Sequence, residues 1–343
     1  MMPIFMIGTQ RSGSNLLRLM LNQLPEIAAP HPPHILQRMT PLIPGYGDLS
    51  IDDNFTQLIE DVCRLVEFNP VPWHGVVFDR AGLFRRCRER SLLAVYEAVY
   101  DVCAEVKGAK TWCCKSLANI NYVSQIEAYF GEPRYIYLYR DGRDVALSFQ
   151  KAIVGEKHIY SIAKEWRDTQ ELALRIERDI DPSRFLHVSY EDLTGKPRRT
   201  AESICNFLGV PWQESMMEFH RSDEAKRAAS SSDLWVNVTH PVMGNNSHKF
   251  LREACEQDIR IFESVTGSVL DSLGYDRIYV KKGEEMVMSH DQIILFESIN
   301  KKMKEEKQRA ADPADVARRD QQMALINKIR DSRLGKAPSV RQF

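Results

Sequence analysis

The chain lacks a cysteine framework. Its seven cysteines, Cys63, Cys87, Cys103, Cys113, Cys114, Cys205 and Cys255, are odd in number and scattered, with no CxxC pair matched to a second pair at zinc spacing. A small disulfide scaffold and a zinc ribbon are excluded, no metal site is expected, and reduced thiols in a cytoplasmic protein are the simplest account. Neither charge is in excess. With 46 Lys+Arg against 47 Asp+Glu the net charge is −1, which excludes a general nucleic-acid binder coated in positive charge and makes any anion site local. Long apolar runs are missing too: none approaches the roughly 20 residues needed to span a bilayer, and the N-terminus shows no basic segment followed by a long apolar core.

What is present is ordinary globular composition. The 343 residues are 43% hydrophobic and 27% charged, enough for one large α/β domain or two smaller ones. The informative stretch comes first. Pro3-Ile4-Phe5-Met6-Ile7-Gly8 reads as a buried strand, Thr9 to Ser14 as a tight loop, and the apolar spacing of Leu16, Leu17, Met20, Leu21 and Leu24 as a helix. Such a loop leaves backbone N–H groups free at a helix N-terminus, where the peptide dipoles favour an anion. Ser12, Ser14 and Asn15 add side-chain donors, Gly13 permits close backbone approach, and Arg11 supplies a fixed cation suited to phosphate or sulfuryl oxygens.

Further along, strands at 111–115, 134–139 and 184–190 alternate with helices near 54–66, 91–107, 119–130 and 197–208. That alternation predicts an α/β fold, a mostly parallel central sheet flanked by helices. Residues 45–90 are punctuated by glycine and proline, and an insertion or lid is expected over about 45–110. Loops are expected at 150–165 and 230–249, and a helix from about 253 to 273. The domain is read as 1–280. From 281 to 343 the composition shifts to 14 Lys/Arg against 10 Asp/Glu, and apolar positions such as Ile293, Leu295, Phe296, Ile299 and Met303, then Val316, Met323, Ile326 and Ile329, predict a charged helical C-terminal extension interrupted near Pro313. Its helices could pack on the body or join two copies as a homodimer.

A second anion feature is Arg140-Asp141-Gly142-Arg143-Asp144 with Ser148 beyond it. Arg140 lies at the carboxyl end of the strongest strand, where open α/β sheets bind ligands. A turn at Asp141-Gly142 would bring Arg140 and Ser148 to one phosphate. Two such cradles suit a nucleotide with phosphates at both ends. The first loop has no Gly-Lys-Ser/Thr, so the lysine and magnesium hydroxyl of a Walker motif are missing and an ordinary ATPase or GTPase is disfavoured.

In this order of motifs the chain resembles the sulfotransferases that use 3′-phosphoadenosine-5′-phosphosulfate (PAPS). Arg11-Ser12-Gly13-Ser14-Asn15-Leu16 is similar to that family's 5′-phosphosulfate loop, and Arg140 to Asp144 with Ser148 to its 3′-phosphate site. Tyr190-Glu191-Asp192-Leu193, Phe207-Leu208-Gly209 and Leu273-Gly274-Tyr275 recur there in the same order, so the resemblance spans about residues 3–276. It implies a P-loop-NTPase-like sulfotransferase architecture and metal-free, in-line sulfuryl transfer to a hydroxyl or amine of a small-molecule, carbohydrate or lipid acceptor. It also implies that Lys249 assists the 5′-phosphosulfate loop, that Tyr190 contacts the nucleotide or packs in the core, and that Lys115 binds a sulfuryl or acceptor oxygen. Relatives place a glutamate or histidine base shortly after the first helix. Here that neighbourhood is Pro30-His31-Pro32-Pro33-His34, so His34 and His31 are the candidates, a residue type that titrates near neutrality. Trp112, Trp166, Trp212 and Trp235 read as core or pocket walls. The competing readings are a P-loop-type small-molecule kinase and a non-catalytic nucleotide-binding scaffold of the same fold.

Overall fold

Strands that are apolar on both faces need helices above and below them. The computed structural model describes residues 2–231 and 233–335, and among these it builds such a sandwich. Strands β1 (Ile4–Gly8), β2 (Ile27–Ala28), β3 (Thr111–Cys114), β4 (Arg134–Tyr139) and β5 (Phe185–Ser189) form one sheet in the order β2-β3-β1-β4-β5, every neighbouring pair parallel. Helix α1 (Ser14–Leu21) joins β1 to β2. Helices α2 (Ile35–Met39), α3 (Asp52–Glu67), α4 (Arg80–Arg86) and α5 (Leu92–Lys107) lie between β2 and β3, and α6 (Val123–Phe130) precedes β4. After β4 come α7 (Gly142–Lys151) and α8 (Ile159–Asp179). After β5 come α9 (Tyr190–Gly195), α10 (Pro197–Leu208), α11 (Asp223–Ser231), α12 (Phe250–Glu253), α13 (Glu256–Ser272), α14 (His290–Arg309) and α15 (Pro313–Arg333).

The alternation of β1 splits the core. Phe5 and Ile7 face a cluster with Tyr135 and Tyr137 of β4 and the apolar sides of α3 and α5, whereas Ile4 and Met6 face α1, α10 and α11. A third cluster joins α7, α8 and α13. The helices within 45–110 therefore share one core with the central strand. Local signals set their ends: Ser91 Oγ accepts the Ala94 N–H at 3.1 Å to start α5, and Gly108, with φ of 71°, ends it.

The C-terminal helices pack on this body. Leu325, Ile326 and Ile329 of α15 are buried in the same cluster as Phe5, and Phe296 of α14 stacks on His158 with ring centroids 4.5 Å apart. Residues 336–343, the end of the expected extension, lie outside the described residues. Two local readings shift. Residues Leu117–Tyr122 form a tighter 3₁₀ turn, so α6 begins later than expected. The expected loop at 150–165 ends at His158, because Ile159, Ile162, Ala163 and Trp166 recur at helical spacing and bury one face of α8.

Candidate active site

At β1 the strand order reverses, with β3 on one side and β4 on the other, so a crevice opens beyond its carboxyl end. The loop that fills it is bent sharply. Arg11 (φ 69°) and Gly13 (φ 85°) both occupy the left-handed region, which costs an arginine about 1–2 kcal/mol. A Cβ on Gly13 would lie 2.6 Å from the ring of Tyr190, so glycine alone fits there. No side chain caps α1, whose first N–H groups are left to an anion.

The loop meets α7 directly. Arg11 Nε donates to Ser148 Oγ at 2.9 Å across 137 residues of sequence. Arg140 supports the loop from beneath: its Nη1 donates to the Arg11 carbonyl at 3.1 Å, its Nη2 to the Asn246 carbonyl at 2.5 Å, and its guanidinium lies 4.1 Å over the Tyr190 ring. Burial and the neighbouring charge of Arg140 lower the Arg11 pKa to about 10, still far above neutrality. Ser12 Oγ, Asn15 Nδ2 and Arg140 Nε are buried without a protein partner. Such donors carry a desolvation cost unless a ligand meets them. Lys249 is half-buried at the start of α12, beside Phe250, whose N–H donates to Asp144 Oδ1 at 2.9 Å.

Not every charge of the second motif is available. Arg143 is buried, bidentate to Asp141 (Nε–Oδ1 3.0 Å and Nη2–Oδ2 2.7 Å), and its Nη1 donates to Glu263 Oε1 at 2.7 Å and the Asp276 carbonyl at 2.9 Å. Glu263 in turn accepts the N–H groups of Ile278, Tyr279 and Val280. Arg143 thus fastens the turn after β4 to α13, and Arg140 is left to face the loop. Gly142 is required between them, since a Cβ there would sit 2.4 Å from Phe262 and 2.6 Å from Trp166.

On the β2–β3 side the site collects Lys115, His31 and His34. Lys115 directly follows β3, is buried and forms no hydrogen bond among the described residues, its Nζ lying 6.0 Å from the centroid of the Trp235 ring. Burial and the charges of Arg18 and Arg11 bring its pKa down to about 7. His34 caps α2 in the left-handed region (φ 59°), and its Nδ1 lies 2.9 Å from Ser116 Oγ. His31 is buried with neither ring nitrogen partnered, its ring 4.7 Å from that of Trp235, while its carbonyl accepts Trp73 Nε1 at 2.7 Å and Asn69 Nδ2 at 2.8 Å. Burial first, then nearby cations (Lys115 and Arg18 for His31, Arg38 and Lys115 for His34), holds both histidines well below the usual imidazole range, hence neutral at pH 7.

These elements are matched as a set elsewhere. The family description "Sulfotransferase family" fits residues 3–214, from the first strand past α10. The chain belongs to the sulfotransferase family. Among curated relatives, it is 22% identical over 289 residues to the protein-tyrosine sulfotransferase of Drosophila melanogaster, covering 80% of this chain and 51% of that protein. It is 23% identical over 219 residues to protein-tyrosine sulfotransferase 2 of Gallus gallus, covering 62% and 53%. The chain thus spans about half the length of these relatives. In fold it is similar to the sulfotransferase domain from the curacin biosynthetic pathway (TM-score 0.57, 20% identity, 80% of this chain and 98% of that domain). It is also similar to the sulfotransferase domain of the Synechococcus PCC 7002 olefin synthase (TM-score 0.52, 20% identity, 80% and 94%).

This sulfotransferase-family site includes residues that the sequence reading passed over. Arg18 of α1 is completely buried: Nε donates to Asn15 Oδ1 at 2.8 Å, and Nη1 to the Ala29 carbonyl at 3.0 Å and Glu224 Oε1 at 2.8 Å. It ties α11, and with it the Trp235 segment, to the loop. The signal was there: a lone arginine inside Leu16-Leu17-Arg18-Leu19-Met20-Leu21 has no solvated face to occupy. Asn246 had no such signal: its carbonyl accepts from Arg140, 106 residues away in sequence.

Proposed function

We propose that the protein transfers a sulfuryl group from PAPS to a hydroxyl or amine acceptor by in-line displacement, with His34 as general base and no metal. One observation carries the reading: Arg11 of the first loop meets Ser148 and Arg140 of the second, and buried donors without protein partners lie around that junction. These residues fit a nucleotide that is anionic at both ends, with Arg11 to Leu16 and Lys249 at its 5′ side and Arg140, Ser148 and Tyr190 at its 3′ side. When bound, PAPS would supply the activated sulfuryl group. Arg11, Ser12 and Asn15 would hold its oxygens, while Lys115, the acidity of whose ammonium lies near neutrality, would meet a sulfuryl or acceptor oxygen.

Between the two histidines the geometry favours His34. If its Nδ1–H donates to Ser116 Oγ, Nε2 keeps a lone pair for the acceptor proton, and the ring is oriented by that bond. His31 lies under Trp235. The acceptor class stays broad: small-molecule, carbohydrate and lipid alcohols and tyrosine peptides, the last supported by two relatives that are protein-tyrosine sulfotransferases.

Isothermal titration with adenosine 3′,5′-bisphosphate tests the reading. Binding is expected, with Mg-ATP binding far more weakly, and Arg140→Ala should cost about 10- to 100-fold for the bisphosphate by loss of charged hydrogen bonds. Adenosine 5′-phosphosulfate should lose much less. An equal loss for both would overturn the place given to Arg140, and no binding by the folded wild-type chain would overturn the function.

A further inference from the structure

α2 carries His34 at its start, yet it is an unlikely helix on its own terms. Five residues cannot sustain one through propensity, and two prolines precede His34. Packing holds its apolar side, where Ile35, Leu36 and Met39 are buried. Its polar side is held by the C-terminal extension. Arg38 donates its backbone N–H to the His34 carbonyl at 3.0 Å, and its guanidinium Nη1 donates to Gln322 Oε1 of α15. The amide of Gln322 is used at both ends, since Nε2 donates to the Leu65 carbonyl of α3 at 2.6 Å, and the residue is only 2% exposed.

The surroundings make this contact firm. Leu325, Ile326 and Ile329 anchor α15 in the main core, Arg333 stacks 4.2 Å over the Tyr46 ring, and Tyr46 Oη donates to Asp61 Oδ2 at 2.8 Å. Arg38 is itself largely removed from water, and burial first, then the charge of Arg319, lowers its pKa to about 10. The family match ends at residue 214, well before this helix begins at Pro313.

We propose that Gln322 is a positioning residue of the active site: through Arg38 it fixes α2 against α3, and so holds His34 in its left-handed backbone with Nδ1 on Ser116. The C-terminal extension then completes the acceptor side of the crevice. The inference rests on the reading of His34 as the base, and its test does not require an acceptor.

The full chain is compared as wild type, Gln322→Leu, which loses both hydrogen bonds, and Gln322→Glu, which keeps an acceptor for Arg38. Amide exchange is followed by mass spectrometry over 34–39, with α10 as the internal reference, together with the rate at which diethyl pyrocarbonate modifies His34. Gln322→Leu should raise both by about fivefold or more while α10 and the affinity for adenosine 3′,5′-bisphosphate stay within about twofold. Gln322→Glu, which keeps the acceptor for Arg38 and gives up the donor to the Leu65 carbonyl, should bring both at least halfway back to the wild-type rates. No change in Gln322→Leu, an equal rise in α10, or rates in Gln322→Glu as high as in Gln322→Leu would each overturn the proposal. If the wild type does not bind the bisphosphate, the proposed function fails instead, and the exchange result still decides whether Gln322 fixes α2.

Discussion

On the β4 side of the crevice Arg143 lies among Asp141, Glu263 and the Asp276 carbonyl, and Arg140 gives its terminal nitrogens to two carbonyls. On the β2–β3 side Lys115 and the His31 ring have no hydrogen bond among the described residues, and Arg18 leaves Nη2 unpartnered despite its pairing with Glu224. The first half spends most of its charge on structure, leaving Arg140 Nε as a buried donor without a protein partner, and presents a preformed shape. The second leaves charges and dipoles unmet by the protein, which lowers proton affinity: the Lys115 pKa falls to about 7 and both histidines are held well below the usual imidazole range. The two halves of one cleft thus differ in how fully the protein satisfies their polar groups.

The sharpest way to separate the halves is to remove the proposed base. His34→Ala should lower turnover by about 10²- to 10⁴-fold while bisphosphate affinity stays within about twofold, and His31→Ala should do far less. Equal losses in the two variants, measured as kcat on any acceptor that wild type sulfates, would erase the distinction between the histidines. Arg143→Met should break the other half through stability. It leaves Asp141 and Glu263 buried without their cation, and urea unfolding should show a loss of about 3–5 kcal/mol. An unchanged midpoint would mean that this network is not what holds the turn.

The smallest effect is in the pH dependence of the ligand-free protein. Because the folded pKa of His31 lies below its unfolded value near 6.5, the unfolded chain binds more protons just below pH 6.5, and stability is lost as pH falls through that window. Lys115 acts likewise between about 7 and 10.5, where stability gained with rising pH comes from a lysine that is neutral only when folded. His31→Gln should flatten the thermal midpoint between pH 5 and 6.5, and Lys115→Met should flatten its alkaline rise relative to wild type. Parallel profiles for variant and wild type would place the desolvation elsewhere.

Much of the fold was legible because its signals are local. The apolar run 4–8, the alternation at 134–139 and the proline-to-glycine frame of 197–208 locate β1, β4 and α10 within a residue or two. α8 was as regular but its first turns were read as part of a loop, and β2, two residues long, has no pattern to read. At the site, Gly13 and Arg140 could be picked out from strand-loop-helix order. The role of Arg143 could not, since its partners Glu263 and the Asp276 carbonyl lie 120 and 133 residues on.

The sequence by itself determined the parallel α/β frame, the strand-loop-helix turn at Arg11–Asn15 and the family, because apolar period, glycine placement and motif order are properties of neighbouring residues. Tertiary structure alone decided that Arg11 reaches Ser148, that His34 rests on Ser116 while His31 lies under Trp235, and that α15 reaches back to α2 through Gln322 and Arg38. The physical reason is distance along the chain. Hydrogen bonds between groups 82 to 284 residues apart, and the desolvation that tunes Lys115 and the histidines, exist only after the core has closed around them.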